Sequence, residues 1–340
     1  MSAGGPWLVT GASGFLGRHL LEAIRSAGTV RPILALVRDP AQWHALDWTG
    51  PLASVQILAG TVDQPHSWNA TPELDRLAGI FHLAALVLHG HRDRERIHRT
   101  NVTGTLELVR LAARHGCRMV FVSTSGTVGC FPKPGPSADE TSPYCEDQVR
   151  GWPYYRSKLE AEQQARELAA ELGVELVIVR PPVLLGPGDH RFRSSGHVLR
   201  LLRGRLPFLI EGGMHYADVR DVARALLRIM ELPAPRPIYH LPGTVCSLRD
   251  FYGRVAALAG MAPPRLVLPY RLAWLAAALT AKLGVRSLPE PALVEMAAHH
   301  WAVHSRYAEA ELGYRSRPGE ETLRDTIVWL REHHPDLVRS

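Results

Sequence analysis

Short, continuously apolar runs recur along the first half of the chain, separated by stretches of helical periodicity. Residues 7–10, 33–37, 55–58, 80–83, 119–123 and 176–180 read as strands. Between them, residues 15–26, 99–114 and 154–172 place apolar side chains three and four apart and read as helices. The strand runs do not alternate apolar with polar, so both of their faces are expected to be buried. With helices between the strands, that predicts an α/β fold built on a parallel, doubly wound sheet. After Arg180 the rhythm changes: Pro and Gly cluster in RPPVLLGPGD, and helices then dominate apart from a strand-like piece at 237–241. This part is expected to form a smaller, mostly helical C-terminal lobe. Residues 131–153, rich in Pro and acidic side chains, read as a surface loop beside the site.

Directly after the first strand comes Thr10-Gly11-Ala12-Ser13-Gly14-Phe15-Leu16-Gly17, followed by a helical pattern. Gly11 suits a tight turn, Gly14 lets backbone approach a pyrophosphate, and Gly17 lets helix and strand pack closely. The helix start then offers free N–H groups to phosphate. The second strand ends at Val37, where an acid would take the ribose hydroxyls of NAD; Val37 is neutral and Arg38 follows it. A guanidinium suits a 2′-phosphate, which favours NADP(H) over NAD(H). The alternative leaves Arg38 as a solvated charge and puts Asp39 on the ribose.

Tyr154 and Lys158 are four apart on a predicted helix and therefore share a face. A neighbouring ammonium stabilises a phenolate, so the pair is expected to exchange a proton with a carbonyl oxygen. Upstream, the fifth strand ends in Ser123-Thr124-Ser125-Gly126-Thr127. Hydroxyls at that end of a parallel strand sit where open α/β sheets bind ligands, and one of them can hydrogen-bond the reacting oxygen.

The glycine turn, the serine-bearing strand end and YxxxK, in this order, resemble the extended short-chain dehydrogenases/reductases over nearly the whole chain. TGASGFLG, FHLAA, RTNVTGT, VSTSGTV, YYRSK and VIVRPPVLLGPGD follow that family's segments in order, and YADVRDVARAL and RYAEAELGYRSRP resemble its later signatures. The resemblance implies a Rossmann-type sheet, with residues 1–182 and pieces from about 215–245 forming the NADP-binding domain. It leaves 183–214 and 246–340 for the substrate lobe. It implies catalytic roles for Ser125, Tyr154 and Lys158, with Thr124 or Ser123 as neighbouring registers for the serine. Lys158 would lower the Tyr154 pKa. Cofactor contacts are implied for Ser13, Phe15 and Leu16 in the glycine turn, Val62 and Asp63 beside the adenine, and Ala84, Ala85, Asn101, Pro181 and Val183. Thr61 departs from the acid that relatives often carry there. A homodimer through the helices after strands four and five is a further implication.

Pro182 stands where sugar-nucleotide enzymes of the family carry Asn, and Met214-His215-Tyr216 where they carry Arg, so a diphosphate would lack its main donors. Gly126-Thr127 lacks the acidic pair of dehydratases. The chain looks more like the dihydroflavonol-reductase and 3β-hydroxysteroid-dehydrogenase branches. The expected reaction is therefore ketone–alcohol interconversion on a hydrophobic small molecule. Sugar-nucleotide epimerisation and a catalytically silent NADP-binding sensor are the alternatives; silent members typically lose the tyrosine or lysine, and both are present. Expected substrate contacts are His89 (with His91 nearby), Thr127 and Leu184. Leu185, Val198, Leu201, Leu202, Leu206, Pro207, Phe208, Leu209 and Ile210 supply either an apolar lining or plain core.

The net charge of +6 is not gathered into a basic block interleaved with aromatics, so no nucleic-acid partner is expected. The four cysteines lack CxxC spacing, which argues against zinc and a disulfide framework. Glu295, His299, His300 and His304 fall at helical spacings that could gather around a metal. Hydride chemistry needs none, and none is expected. MSAGGPWLVT carries no leader pattern and no apolar run spans a bilayer, so a cytoplasmic location is expected. The helix predicted at 270–283 is apolar enough to rest on a membrane or cover an apolar pocket, with ordinary packing or a dimer contact preferred over membrane binding.

Overall fold

In a computed structural model of the chain, residues 4–46, 55–68, 71–206, 208–282 and 291–338 are described. The first half runs β1 (Trp7–Thr10), α1 (Phe15–Ser26), β2 (Ile33–Val37), α2 (Pro40–His44), β3 (Val55–Ala59), β4 (Gly79–His82), α3 (Arg94–His98) and α4 (Gly104–His115). It continues through β5 (Arg118–Val122), β6 (Cys130–Phe131), α5 (Glu146–Val149), α6 (Pro153–Leu172) and β7 (Leu176–Arg180). The second half contains β8 (Val183–Leu185), α7 (Gly196–Leu202), β9 (Leu209–Ile210), β10 (Gly213–Asp218), α8 (Val219–Glu231), β11 (Ile238–His240) and β12 (Thr244–Ser247). It ends with α9 (Leu248–Ala259), β13 (Val267–Leu268), α10 (Tyr270–Lys282), α11 (Pro291–Ala297), β14 (His300–Trp301), α12 (Ala308–Leu312) and α13 (Gly319–His333).

Seven strands pair in the order β11-β7-β5-β4-β1-β2-β3, parallel throughout. Successive strand residues point to opposite faces, and both faces here are covered. Trp7, Val9, Ala35, Val37, Val120, Val122, Val177 and Val179 join one core with α1 and α8. Leu8, Leu34, Leu36, Met119, Phe121 and Ile178 join the other, with α4 and α6. That double burial is why the strands read as unbroken apolar runs. The order reverses between β1 and β4, and the crevice beyond their carboxyl ends is where such sheets bind ligands.

The lobe carries more sheet than its helical pattern predicts. β8, β10 and β12 form a second sheet, so of the pieces near 215–245 only β11 completes the main one. The tail also returns to the nucleotide half: Ala308, Leu312 and Tyr314 pack into the α1/α8 core. Asp221, from the YADVRDVARAL segment, accepts hydrogen bonds from the Arg317 backbone and guanidinium at 2.9–3.1 Å. Residues 131–153 are held down at several points. β6 pairs with β14, Ala138 bridges Val303, and Glu140 accepts hydrogen bonds from His240 N, Ser305 Oγ and Arg306 N at 3.1, 2.6 and 3.1 Å. Among the described residues no helix is long and apolar enough to cross a membrane.

Candidate active site

The turn after β1 fits a dinucleotide phosphate. Gly11 adopts φ +70°, and a Cβ there would lie 2.8 Å from Ala84 N, so only glycine closes this turn. Gly17 packs against the same turn, with Gly11 O in the space a Cβ would need. Gly14 caps α1 without a side-chain bond, and no acid occupies the first helical turn. The N–H groups of Phe15, Leu16 and Gly17 therefore lack intrahelical acceptors and face the crevice mouth with the positive helix end. Ser13 is half-buried beside them. At the end of β2, Arg38 is exposed, whereas the Asp39 carboxylate caps α2, accepting from Ala41 N at 3.0 Å and Gln42 N at 3.2 Å. Partial burial and the like charges of Arg38 and Arg193 lower the pKa of Arg191, against the pull of Asp189. Nothing in the sequence pattern pointed to Arg191 or Arg193.

The remaining expected cofactor residues divide by what their side chains already do. Ala84 and Ala85 stay partly accessible, with Ala84 N donating to Thr10 Oγ1 at 3.2 Å. Val62 is buried against Gly104. Asp63 accepts from Arg99 Nε at 2.8 Å; burial opposes its charge, but hydrogen bonds outweigh it and hold the carboxyl below its ordinary range. Pro181 is buried and its carbonyl accepts Ser125 N at 2.8 Å, while Val183 turns toward the lobe core. Asn101 departs from the expectation of a cofactor contact. Its Oδ1 accepts Leu86 N at 2.7 Å, and its Nδ2 donates to Leu86 O at 3.2 Å and Ser157 Oγ at 2.9 Å. With its amide so occupied, Asn101 is a clamp between the β4 loop and the Tyr154 helix. It sits in a π-helical turn, Arg99–Thr103, that interrupts the single helix predicted over 99–114.

Tyr154 and Lys158 lie one turn apart on α6, at the carboxyl end of β5. Lys158 is 1% exposed; its Nζ donates to Val122 O at 2.7 Å and sits 4.3 Å from the Phe121 ring centre. Burial drives its pKa down to about 7, against the opposing pull of Glu162. Burial also pushes the Tyr154 phenol up to about 12. The expected lowering of the tyrosine by Lys158 is thus absent in this arrangement. Each group is sealed from water, which favours both neutral forms, and the ammonium hydrogen bond goes to backbone. Ser125 opens the short 3₁₀ turn Ser125–Thr127 and is 4% exposed. Thr124 Oγ1 is occupied by Gly126 N at 3.3 Å, while Ser123 Oγ is buried with no hydrogen-bond partner.

Two polar chains behind this pair were not legible beforehand. In the first, Thr10 Oγ1 already accepts Ala84 N, so it donates to His82 Nδ1 at 2.8 Å. His82 Nε2 then donates to Thr105 Oγ1 at 2.9 Å, which donates to Asn101 O at 2.6 Å. Full burial, then the Lys158 charge, hold the His82 pKa well below its usual value, consistent with that neutral tautomer. In the second, Glu162 takes Arg180 through three hydrogen bonds of 2.6–3.2 Å, both residues being essentially unexposed. Arg180 Nη1 donates to His240 Nε2 at 3.3 Å. Thr127 belongs to this chain: it is 0% exposed and its Oγ1 donates to Glu162 Oε1 at 3.1 Å, so the substrate contact expected of it is withdrawn.

On the open side, the His89 ring stands edge-on to Tyr154, centres 6.2 Å apart, with its Nδ1 buried and unpartnered. Burial, then Arg193, lower the His89 pKa. Burial pushes His197 down to about 4, with Arg200 and His89 adding to it. Burial thus favours the neutral form of both imidazoles, and the His89 ring is the one set against Tyr154. The lobe residues offered as an apolar lining are chiefly core. Leu185, Val198, Leu201, Leu202, Leu209 and Ile210 are buried together, and Leu206 and Phe208 pack against them; Pro207 lies outside the described residues. Leu184 instead packs on the nucleotide core. The helical spacing of Glu295, His299, His300 and His304 ends where α11 gives way to β14; His299 Nδ1 bonds Glu295 O, and its ring meets Trp152 at 5.0 Å.

Residues 7–241 match the NAD dependent epimerase/dehydratase family. The chain belongs to that family. A putative dihydroflavonol 4-reductase of Synechocystis sp. is 28% identical over 342 residues, covering 96% of this chain and 95% of that one. Cinnamoyl-CoA reductase 1 of Oryza sativa subsp. japonica is 32% identical over 268 residues, 74% of this chain and 77% of the relative. Among solved structures, gox2253 superposes with a TM-score of 0.79 at 28% identity, covering 97% of this chain and 98% of its own. Together they put the chain among the extended short-chain dehydrogenases/reductases, in the dihydroflavonol-reductase-like branch, and support an NAD(P)-dependent oxidoreductase. Within this family the Gly126 position is telling. The Tyr155 ring lies in the space a Cβ would need, so the acid that dehydratases carry has no room here. His215 is buried, and its Nε2 accepts Gly243 N at 3.1 Å.

Proposed function

We propose that this protein is an NADP(H)-dependent reductase that interconverts a ketone and a secondary alcohol on an uncharged, largely apolar small molecule. The observation that carries this reading is the Tyr154 phenol, kept protonated by burial and standing edge-on to the neutral His89. A protonated phenol is the form that gives a proton to a carbonyl oxygen as hydride arrives at carbon, so the reductive direction suits it. The nicotinamide supplies the hydride when bound. Ser125, at the carboxyl end of β5, orients the substrate oxygen. Lys158, once freed from Val122 O, would hydrogen-bond the ribose of the bound cofactor and approach the phenol. The glycine turn and the α1 start hold the pyrophosphate. Arg38, left free by the capping role of Asp39 and joined by Arg191, holds the 2′-phosphate. The neutral His89 supports an uncharged substrate, the crowded Gly126 weighs against dehydration, and Pro182 in place of Asn weighs against a nucleotide sugar.

The test is NADPH consumption with a panel of aromatic, steroid and long-chain ketones, run beside UDP-sugar epimerisation. Turnover of a ketone class with no change in the sugars supports the reading; epimerised sugar without net NADPH loss overturns it. Arg38→Ala should weaken NADPH binding about tenfold or more while leaving NADH nearly unchanged; equal effects on both would remove its phosphate role.

A further inference from the structure

Ten large apolar side chains stand exposed among the described residues, and six of them, Leu266, Tyr270, Leu272, Trp274, Leu275 and Leu279, fall within residues 266–279. The cause is the make-up of α10. This helix buries only Ala273 and Ala277, one turn apart, and rests that narrow face toward α11. At about 3.6 residues per turn, Leu275 and Leu279 project from the opposite side, with Leu272 40 to 60% exposed like them, at 57% against 50% and 52%. Arg271 and Lys282 lie on the same outward side at the two ends of the helix. Between residues 262 and 282 the charged residues are Arg265, Arg271 and Lys282, with no acid among them; Glu295 of α11 is the acid that acts on Tyr270. Beside Leu266 opens a groove of about 560 Å³ lined by Arg249, Arg254 and Arg265, whose one acid, Asp250, is bonded to Ser247 Oγ at 2.7 Å.

We propose that this face seats the protein on an anionic lipid bilayer, with the leucines and Trp274 in the interfacial layer and lipid phosphates against the arginine groove and the helix-end cations. A leucine-rich face with an interfacial tryptophan and cations at its ends is the make-up of a helix that lies in the membrane plane. At 13 residues α10 is too short to cross. Charge selects the occupant. A second copy would bring Arg271 and Lys282 against the same cations in a chain of net charge +6, whereas phosphatidylglycerol headgroups complement them. α10 does pack on the lobe core through Ala273 and Ala277, but that contact is two alanines wide and leaves the leucines uncovered.

The experiment is flotation of the full chain with vesicles of phosphatidylcholine alone or mixed with phosphatidylglycerol. Binding is expected to the mixed vesicles at low ionic strength and to fall steeply near 1 M salt, where the Debye length is about 3 Å. Leu275→Glu with Leu279→Glu should lower the partition at least about tenfold, and Arg271→Ala with Lys282→Ala about thirtyfold. Both pairs are exposed, so thermal midpoints should stay unchanged and show that the variants are folded. No binding to mixed vesicles, or equal binding to phosphatidylcholine alone, overturns the proposal. So does a mass that doubles with concentration and reverts in Leu275→Glu with Leu279→Glu, which would give the face to self-association. The readout involves no turnover, so it stands or falls apart from the proposed reaction.

Discussion

On the sheet side of Tyr154, the polar groups from His82 through Asn101 to Ser157, and from Glu162 through Arg180 to His240, are joined by hydrogen bonds. On the cleft side, His89 offers a buried ring nitrogen with no partner, on a ring centred 6.2 Å from that of Tyr154. The first set is costly to disturb because burial makes each lost partner an uncompensated charge or dipole. The second set already bears part of that cost, and a ligand group that reaches His89 would recover it. The two chains are satisfied by protein and the His89 nitrogen is left for a ligand to satisfy; Ser123 Oγ, buried at the end of β5, is a second group without a partner.

The comparison breaks most sharply at the reactive residue itself. Tyr154→Phe should lower kcat about 10³-fold while NADPH binding, followed by cofactor fluorescence, stays near wild type; retained turnover would sink the acid role. Next, Glu162→Gln leaves Arg180 buried beside a neutral amide and should cost about 3–5 kcal/mol in urea unfolding. A cost under about 1 kcal/mol would mean that this chain is not the support described here. Lys158→Met tests the buried ammonium. The folded Lys158 pKa, about 7, lies below the value of 10.5 it has when exposed, so the unfolded chain binds the extra proton between those values. Stability from this group is therefore lowest below pH 7 and rises as the pH climbs toward 10. The variant should gain on the order of 2 kcal/mol over wild type at pH 7, with the gap narrowing as the pH rises and closing only above about 10.5; a gap constant with pH would refute the depressed pKa. The smallest stability effect is expected at His89→Phe, within about 0.5 kcal/mol, yet KM for the ketone should rise several-fold. Unchanged KM with lost stability would put His89 with the supporting set.

Local pattern carried the reading of the nucleotide half. β1, α1, β2 and β7 begin and end where the apolar runs and glycines say, because strands buried on both faces leave an unbroken signature. The same locality explains the misses. Asn101 reads as a cofactor contact, since its hydrogen bonds to Leu86 and Ser157, remote in sequence, leave no local mark. Thr127 sits in a serine-rich strand end, and nothing local says that its hydroxyl turns toward Glu162 instead of the cleft. The apolar stretch 198–210 carries no mark that separates core from lining; α9 and α13, which cover it, come later in the chain. His197 and Arg193 lie in no motif and meet His89 only through the fold.

The return of Ala308, Leu312 and Tyr314 to the α1/α8 core has a consequence for how the chain is made. The edge strand β11 arrives only after residue 237, and the last pieces of the nucleotide core only after residue 307. A ribosome therefore releases the glycine turn and the catalytic helix long before their hydrophobic support is complete. Until then Leu226 and Ile229 of α8 lack part of the packing that buries them in the finished protein. Synthesis stalled before residue 308 should leave an aggregation-prone product, and not a smaller working domain, because these contacts close loops of great length late in assembly.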